Sequence, residues 1–93
     1  LTDYQYLMAK NLTLDDAVFL TMRDGHSWTY WDLQRCIKNN TGTFYGENSI
    51  AAATRNMRKE YCRIKYKLPL DKEVLISRRI AGGKGYEYKL ITE

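Results

Sequence analysis

Residues 46–67 read GENSIAAATRNMRKEYCRIKYK, and the fold turns on how this stretch is divided. Its first part has helical spacing. At 100° per residue, Ile50, Ala53, Thr54, Met57 and Tyr61 share one face. Asn48, Ala52, Arg55, Asn56 and Lys59 share the opposite face, with Arg58 on its flank. A helix is therefore expected over about 48–61, capped by Asn48 or Ser49. It is apolar on one side and small, polar and basic on the other. Beyond Tyr61 the period changes to two: Ile64, Tyr66 and Leu68 alternate with Arg63, Lys65 and Lys67, which reads as a basic strand.

Upstream, two more helices are expected. Thr13 with Asp16 three residues later has the form of a capping box, and Leu14, Ala17, Val18, Thr21 and Met22 form a stripe as far as Gly25. Phe19 and Leu20 fall opposite that stripe and are expected to be exposed. The device repeats with Thr29 and Asp32, the stripe Tyr30, Leu33, Cys36 and Ile37, and an end at Asn39, Asn40 and Gly42. Phe44 and Tyr45 in the connector are expected to pack on the core, and Trp28 and Trp31 at the second helix start read as core or semi-exposed packing. Residues 1–12 read as a leading helix or a tail.

Downstream, PLDKE reads as a loop and VLISRRI as a strand with Val74, Ile76 and Ile80 on one side. AGGKG is a strong turn signal, and YEYKLI alternates as the closing strand. Most of Tyr61, Tyr66, Tyr86 and Tyr88 are expected to pack or line the sheet, base stacking on them being the lesser reading. The order is α+β, three helices followed by a β-hairpin, which is the order of a winged helix-turn-helix in one domain over 1–93.

Composition narrows the function. The chain is 93 residues long, 44% hydrophobic and 13% aromatic, which suits a folded domain and not a disordered segment. No apolar run is long enough to cross a membrane, and the first ten residues do not have the pattern of a signal peptide. A cytoplasmic protein is expected. Charge is segregated. Residues 1–54 carry four basic and six acidic residues, net −2, whereas residues 55–93 carry eleven basic and five acidic, net +6. Such a concentration is the footprint of a polyanion binder.

Catalytic chemistry finds little support. His26 is the single histidine. Cys36 and Cys62 lack CxxC spacing and are expected as reduced, unpaired thiols. Zinc needs about four ligands, GGKG lacks the frame of a phosphate loop, and Asp15 and Asp16 suit a helix dipole better than a metal pair. No enzyme activity, metal or cofactor is expected.

Two segments carry a resemblance to a known family. FYGENSIAAATRNMRKE resembles the recognition-helix segment of small winged-helix proteins of bacteriophages and prophages, and VLISRRIAGGKGYEYKL resembles their closing hairpin. With the two preceding helices the resemblance extends over about 80 residues of the 93. It implies DNA binding and a transcriptional or developmental role. The connector near 39–47 and the PLDKE loop are longer than in a simple helix-turn-helix.

The expected site is a duplex-DNA surface. Asn48, Ser49, Ala52, Arg55 and Asn56 belong to this surface, Ala52 permitting close approach and Arg55 and Asn56 meeting base edges and carrying specificity one turn in from the cap. Arg58, Lys59 and Arg63 would meet phosphates, and Arg78, Arg79 and Lys84 would hold the backbone from the wing. The alternative is a protein-interaction module in which Phe19 and Leu20 meet a host protein or a second copy.

Overall fold

The computed structural model describes residues 12–93. The reading of residues 1–12 as a leading helix or tail falls almost wholly outside them.

Helix α1 spans Leu14–Met22. Its capping box forms as the sequence indicates: the Asp16 N–H donates to Thr13 Oγ1 and the Thr13 N–H donates to Asp16 Oδ2, both at 3.1 Å. Ala17, Val18, Thr21 and Met22 are buried. The expected exposure of Phe19 and Leu20 is corrected here. Leu20 is buried, and the Phe19 ring stacks on Tyr66 with centroids 4.4 Å apart.

Strand β1, Ser27–Trp28, lies where the sequence indicates only a helix start. Two residues carry no period of their own. They become a strand by pairing with the last strand of the chain, 60 residues away at Trp28↔Tyr88. Helix α2 spans Tyr30–Thr41, with Thr29 Oγ1 accepting the Asp32 N–H at 3.0 Å. Leu33 and Ile37 are fully buried, Tyr30 stacks on Tyr88, and Gly42 closes the helix with φ +80°.

Helix α3 spans Glu47–Asn56. Its cap is Gly46, so Asn48 and Ser49 lie in the first turn and not at the cap. Ile50, Ala53, Thr54 and Met57 enter the core as expected, and the buried Thr54 hydroxyl donates to the Ile50 carbonyl at 2.8 Å. The helix then stops short of residue 61. The N–H groups of Met57, Arg58 and Lys59 reach back three residues, to Thr54, Arg55 and Asn56, and tighten the turn. Lys59 is extended, with ψ 144°, and the chain restarts as helix α4, Glu60–Lys65.

Two expectations fail at this bend. A straight helix would put Tyr61 on the core side beside Met57. The bend brings Cys62 inward instead, at 1% exposure, and leaves Tyr61 at 56%. The expected basic strand is a helix: Arg63, Ile64 and Lys65 belong to α4, whose six residues show too few apolar positions to separate the two periods. The end of α4 is also unmarked. The Lys67 N–H donates to Ile64 O and the Leu68 N–H to Arg63 O, at 3.3 and 2.8 Å, the paired bonds of a Schellman close. Its left-handed position, normally glycine, holds Lys67 with φ +58°.

Strands β2, Leu75–Arg79, and β3, Tyr86–Leu90, form an antiparallel hairpin with Leu75 opposite Leu90 and Arg79 opposite Tyr86. The sheet order is β1-β3-β2. The expected inward set Val74, Ile76 and Ile80 is corrected: Val74 and Leu75 are both buried, and Ile76 is exposed. The ladder begins at Leu75, and the hairpin leaves the core after its first residue. At the tip, Gly82 and Gly85 have φ of +72° and +92°, which a side-chain-bearing residue adopts at a cost. The core lies between α1, α2 and α3 and the root of this hairpin, around Val18, Met22, Leu33, Ile37, Ile50, Met57, Val74 and Leu90. The described residues thus form an α+β unit of four helices and a three-stranded antiparallel sheet.

Candidate nucleic-acid interface

Because Ile50, Ala53 and Thr54 anchor α3 from below, its upper face is left to solvent. Glu47, Asn48, Ser49, Ala52 and Arg55 are exposed. The helix is held in place from α2, where the Gln34 side-chain amide donates to the Tyr45 carbonyl at 3.2 Å, two residues before α3 begins. Glu47 is an exposed first-turn residue of this face that the sequence reading leaves out. Its position next to the Gly46 cap is the signal that would have placed it there.

The hairpin tip faces the start of α3. Glu47 and Lys84 line one groove of about 550 Å³, together with Trp31, Tyr86 and Tyr88. The first turn of α3 and the turn of the hairpin therefore border a common space. Beneath it, burial and then the neighbouring Tyr88 phenol push the Tyr30 phenol up to about 12, while Arg55 lowers it and Glu47 raises it slightly. Tyr30 stays neutral in the physiological range.

The expected site residues separate into two groups. Arg55, Arg79 and Lys84 are exposed, and their side chains make no hydrogen bond or ion pair with the other described residues. Arg55 is the ninth of the ten residues of α3, so it lies in the last turn and not one turn in from the cap. Lys59 is exposed at the bend, with Nζ 6.0 Å from the Tyr61 ring centroid. Asn48, Ser49 and Ala52 are the N-terminal members of the outward face.

The remaining residues are held. Asn56 is half-buried, and its amide donates to Asp15 Oδ1 at 3.4 Å, tying α3 to α1. Arg58 Nε donates to Glu73 Oε1 at 3.1 Å, and its terminal nitrogen donates to the Leu75 carbonyl at 3.1 Å. Arg63 Nε donates to the Arg58 carbonyl at 2.9 Å, and its terminal nitrogen donates to the Lys72 carbonyl at 3.1 Å. These two arginines tie the loop after α4 back to the bend and to α4. Glu73 Oε1 also accepts the N–H groups of Val74 and Leu75 at 3.0 and 3.1 Å. The Leu75 N–H and the Arg58 guanidinium hold its carboxyl below the usual range. On the hairpin, Arg78 pairs with Glu87, Nε to Oε1 at 2.9 Å.

A third anchor lies on the far side. Burial raises the Asp16 carboxyl, but hydrogen bonds outweigh it and lower the group to about 2. The donors are the Tyr66 hydroxyl at 2.6 Å, the Thr13 N–H and Lys65 Nζ at 3.0 Å. Burial and the Asp16 partner in turn push the Tyr66 phenol up.

Several aromatic expectations are corrected as well. Trp31 and Phe44 do not pack on the core: they are 61% and 58% exposed. Tyr86 and Tyr88 lie on β3 as expected, Tyr86 exposed, whereas Tyr61 and Tyr66 belong to α4 and its cap instead of a strand, Tyr66 packing against the core. Trp28 and Tyr45 do pack against the core. Cys36 and Cys62 are both free thiols. Among the described residues no group of three or more His, Cys, Asp or Glu is arranged to hold a metal ion, and no helix is long and apolar enough to cross a membrane. Comparison of the chain with protein-family models, curated proteins and solved structures finds no match.

Proposed function

We propose that the protein is a winged helix-turn-helix that binds double-stranded DNA, with α3 in the major groove and the β2–β3 hairpin as the wing on the adjacent backbone. The observation that carries this reading is that Glu47, in the first turn of α3, and Lys84, at the hairpin tip, line one groove, while Asn48, Ser49, Ala52 and Arg55 of the same helix are exposed. A helix enters the major groove, about 12 Å wide, when the side chains that lead are short or hydrogen-bonding. Asn48, Ser49 and Ala52 meet that condition and lie in the N-terminal half of the helix, the half that reaches base edges in helix-turn-helix proteins. Asn48 suits adenine, and Glu47 is an acceptor for the amino group of cytosine. Arg55, Lys59, Arg79 and Lys84 supply the phosphate contacts. Arg58, Arg63 and Arg78 are occupied by the fold and are left out.

The resemblance of residues 44–60 and 74–90 to phage-type winged-helix segments supports the setting, a small transcriptional or developmental regulator in a bacterial cytoplasm. The protein-interaction alternative loses Phe19 and Leu20 as its surface, since Leu20 is buried and Phe19 is stacked on Tyr66, and keeps the same uncovered face of α3.

The test is selection of bound sequences from a random duplex pool, followed by salt titration. With four cations on phosphates, the logarithm of affinity should fall with log salt at a slope of about −3 to −4. Asn48→Ala should cost about 1–3 kcal/mol at one base position and little elsewhere. A protein that enriches no sequence and binds duplex with no salt dependence would overturn the reading.

A further inference from the structure

Trp31 belongs to two grooves at once. One is the space of about 550 Å³ between α2, the start of α3 and the hairpin tip, where Tyr86 and Lys84 face it. The other, about 500 Å³, runs along α2 from Trp31 past Arg35 and Lys38 to Phe44. Trp31, Phe44 and Tyr86 are 61%, 58% and 53% exposed, although each side chain is large enough to be a core residue. Three such rings on a small domain are an interaction surface by their cost in water alone.

Their neighbours decide what the surface suits. Trp31, Arg35 and Lys38 fall on one face of α2, over about 10 Å of helix, and the Arg35 guanidinium lies 5.9 Å from the Trp31 ring centroid. Rings and cations alternate. Arg35, Lys38 and Lys84 line the two grooves, against Glu47 as the one carboxylate in either lining. Arg35 also meets Asp32, but only at 3.8 Å and in the open, a pair that an incoming phosphate displaces cheaply. A second copy of the chain is a poor occupant, because a two-fold contact would set Arg35 and Lys38 against themselves.

We propose that this strip is a single-strand platform: unpaired bases stack on Tyr86, Trp31 and Phe44 while Arg35 and Lys38 hold the intervening phosphates. Faces of this kind bind single strands without regard to sequence, since every base offers a flat ring. The strip begins at the groove that α3 and the wing share. A duplex seated there would deliver its single-stranded extension onto Trp31, so the protein prefers a duplex with a tail to a blunt one. The platform stands on the exposed rings alone, whereas the preference for a tailed duplex also rests on the proposed seat of α3.

The experiment uses the full chain, with intrinsic tryptophan fluorescence and fluorescence anisotropy. Oligo(dT) should quench the emission, and Trp31→Phe should abolish the quench while Trp28 still reports the folded state. A blunt duplex and the same duplex with a dT tail should differ about ten-fold or more in affinity. Phe44→Ala with Lys38→Ala, which line only the second groove, should erase that difference and leave blunt-duplex binding intact, thermal unfolding serving as the folding control. If oligo(dT) gives no quench and the tail adds nothing while blunt duplex binds, the platform is overturned and the duplex reading survives. If oligo(dT) quenches and no duplex binds, the platform holds and the proposed seat of α3 fails. Equal quenching by heparin, which has charge and no bases, overturns the stacking claim. Quenching by a glutamate–tyrosine copolymer but not by oligo(dT) overturns it in favour of an acidic protein partner.

Discussion

Helices α3 and α4 are made from one continuous basic stretch, yet they use their arginines in opposite ways. On α3, Arg55 projects from a solvent face and engages no hydrogen-bond partner among the described residues. On the bend and α4, Arg58 and Arg63 turn back into the protein and spend their donors on carbonyls of the 68–75 loop and on Glu73. Three residues separate Arg55 from Arg58, and one change of chain direction separates their roles. A run of positive charge is therefore no guide by itself to a binding surface. What matters is whether a carbonyl or carboxylate lies within reach once the chain has folded. The same holds on the hairpin, where Arg78 is paired with Glu87 and its neighbour Arg79 is open.

The bend itself offers the largest test of this contrast. Met57 is fully buried on its core side, and Tyr61 is exposed beyond it. Met57→Ala should cost about 2–5 kcal/mol in urea unfolding, and Tyr61→Ala less than about 0.5 kcal/mol. Comparable losses at both positions would mean that the helix runs straight through residue 61 and that the two regions are one.

Asp16 sharpens the contrast from the other side of α4, which it holds through Tyr66 and Lys65. Its folded value of about 2 lies below the ordinary 3.8, so its contribution is fully present above the unfolded value. That contribution is lost as pH falls from about 4 through 2. Asp16→Asn should cost about 2 kcal/mol near neutrality and flatten the acid limb of the stability profile over that window. An unchanged acid limb would show that the carboxylate is not what holds α4 to α1.

The arginines should separate cleanly when stability and binding are measured on the same variants. Arg63→Ala and Arg58→Ala should each lower stability by about 1 kcal/mol, because their bonds are partly solvated. Neither should move the salt slope of DNA affinity. Arg79→Ala and Lys84→Ala should change stability by less than about 0.5 kcal/mol. Each should flatten the slope by up to about one unit. A reversed pattern would dissolve the distinction between clamped and open cations.

The smallest effect is expected at the end of α4. Lys67 holds a left-handed position that costs a lysine about 1 kcal/mol, so Lys67→Gly should be neutral to stabilising by up to about 1 kcal/mol. A destabilisation in thermal unfolding would mean that the Lys67 side chain makes a contribution larger than its strain.

The features legible in the sequence are those whose causes lie within one helical turn or one hairpin. Thr13 with Asp16, and Thr29 with Asp32, cap their helices through bonds between residues three apart, so their spacing alone placed α1 and α2. The stripe Ile50, Ala53, Thr54 and Met57 settled which side of α3 is buried, and GGKG located the hairpin turn. Tertiary structure alone decided the rest. No glycine or proline marks the break at Met57–Lys59, which is stabilised by burial of Cys62 and by arginine bonds spanning 9 and 17 residues. Strand β1 exists only because β3 pairs with it. Trp31 and Phe44 are as apolar as core residues, yet they are exposed while Leu33, Ile37 and Tyr45 pack in the core. Local bonds depend on spacing, which a sequence displays. Burial and long-range pairing depend on which distant groups compete for the same space, and that competition is resolved only when the chain folds.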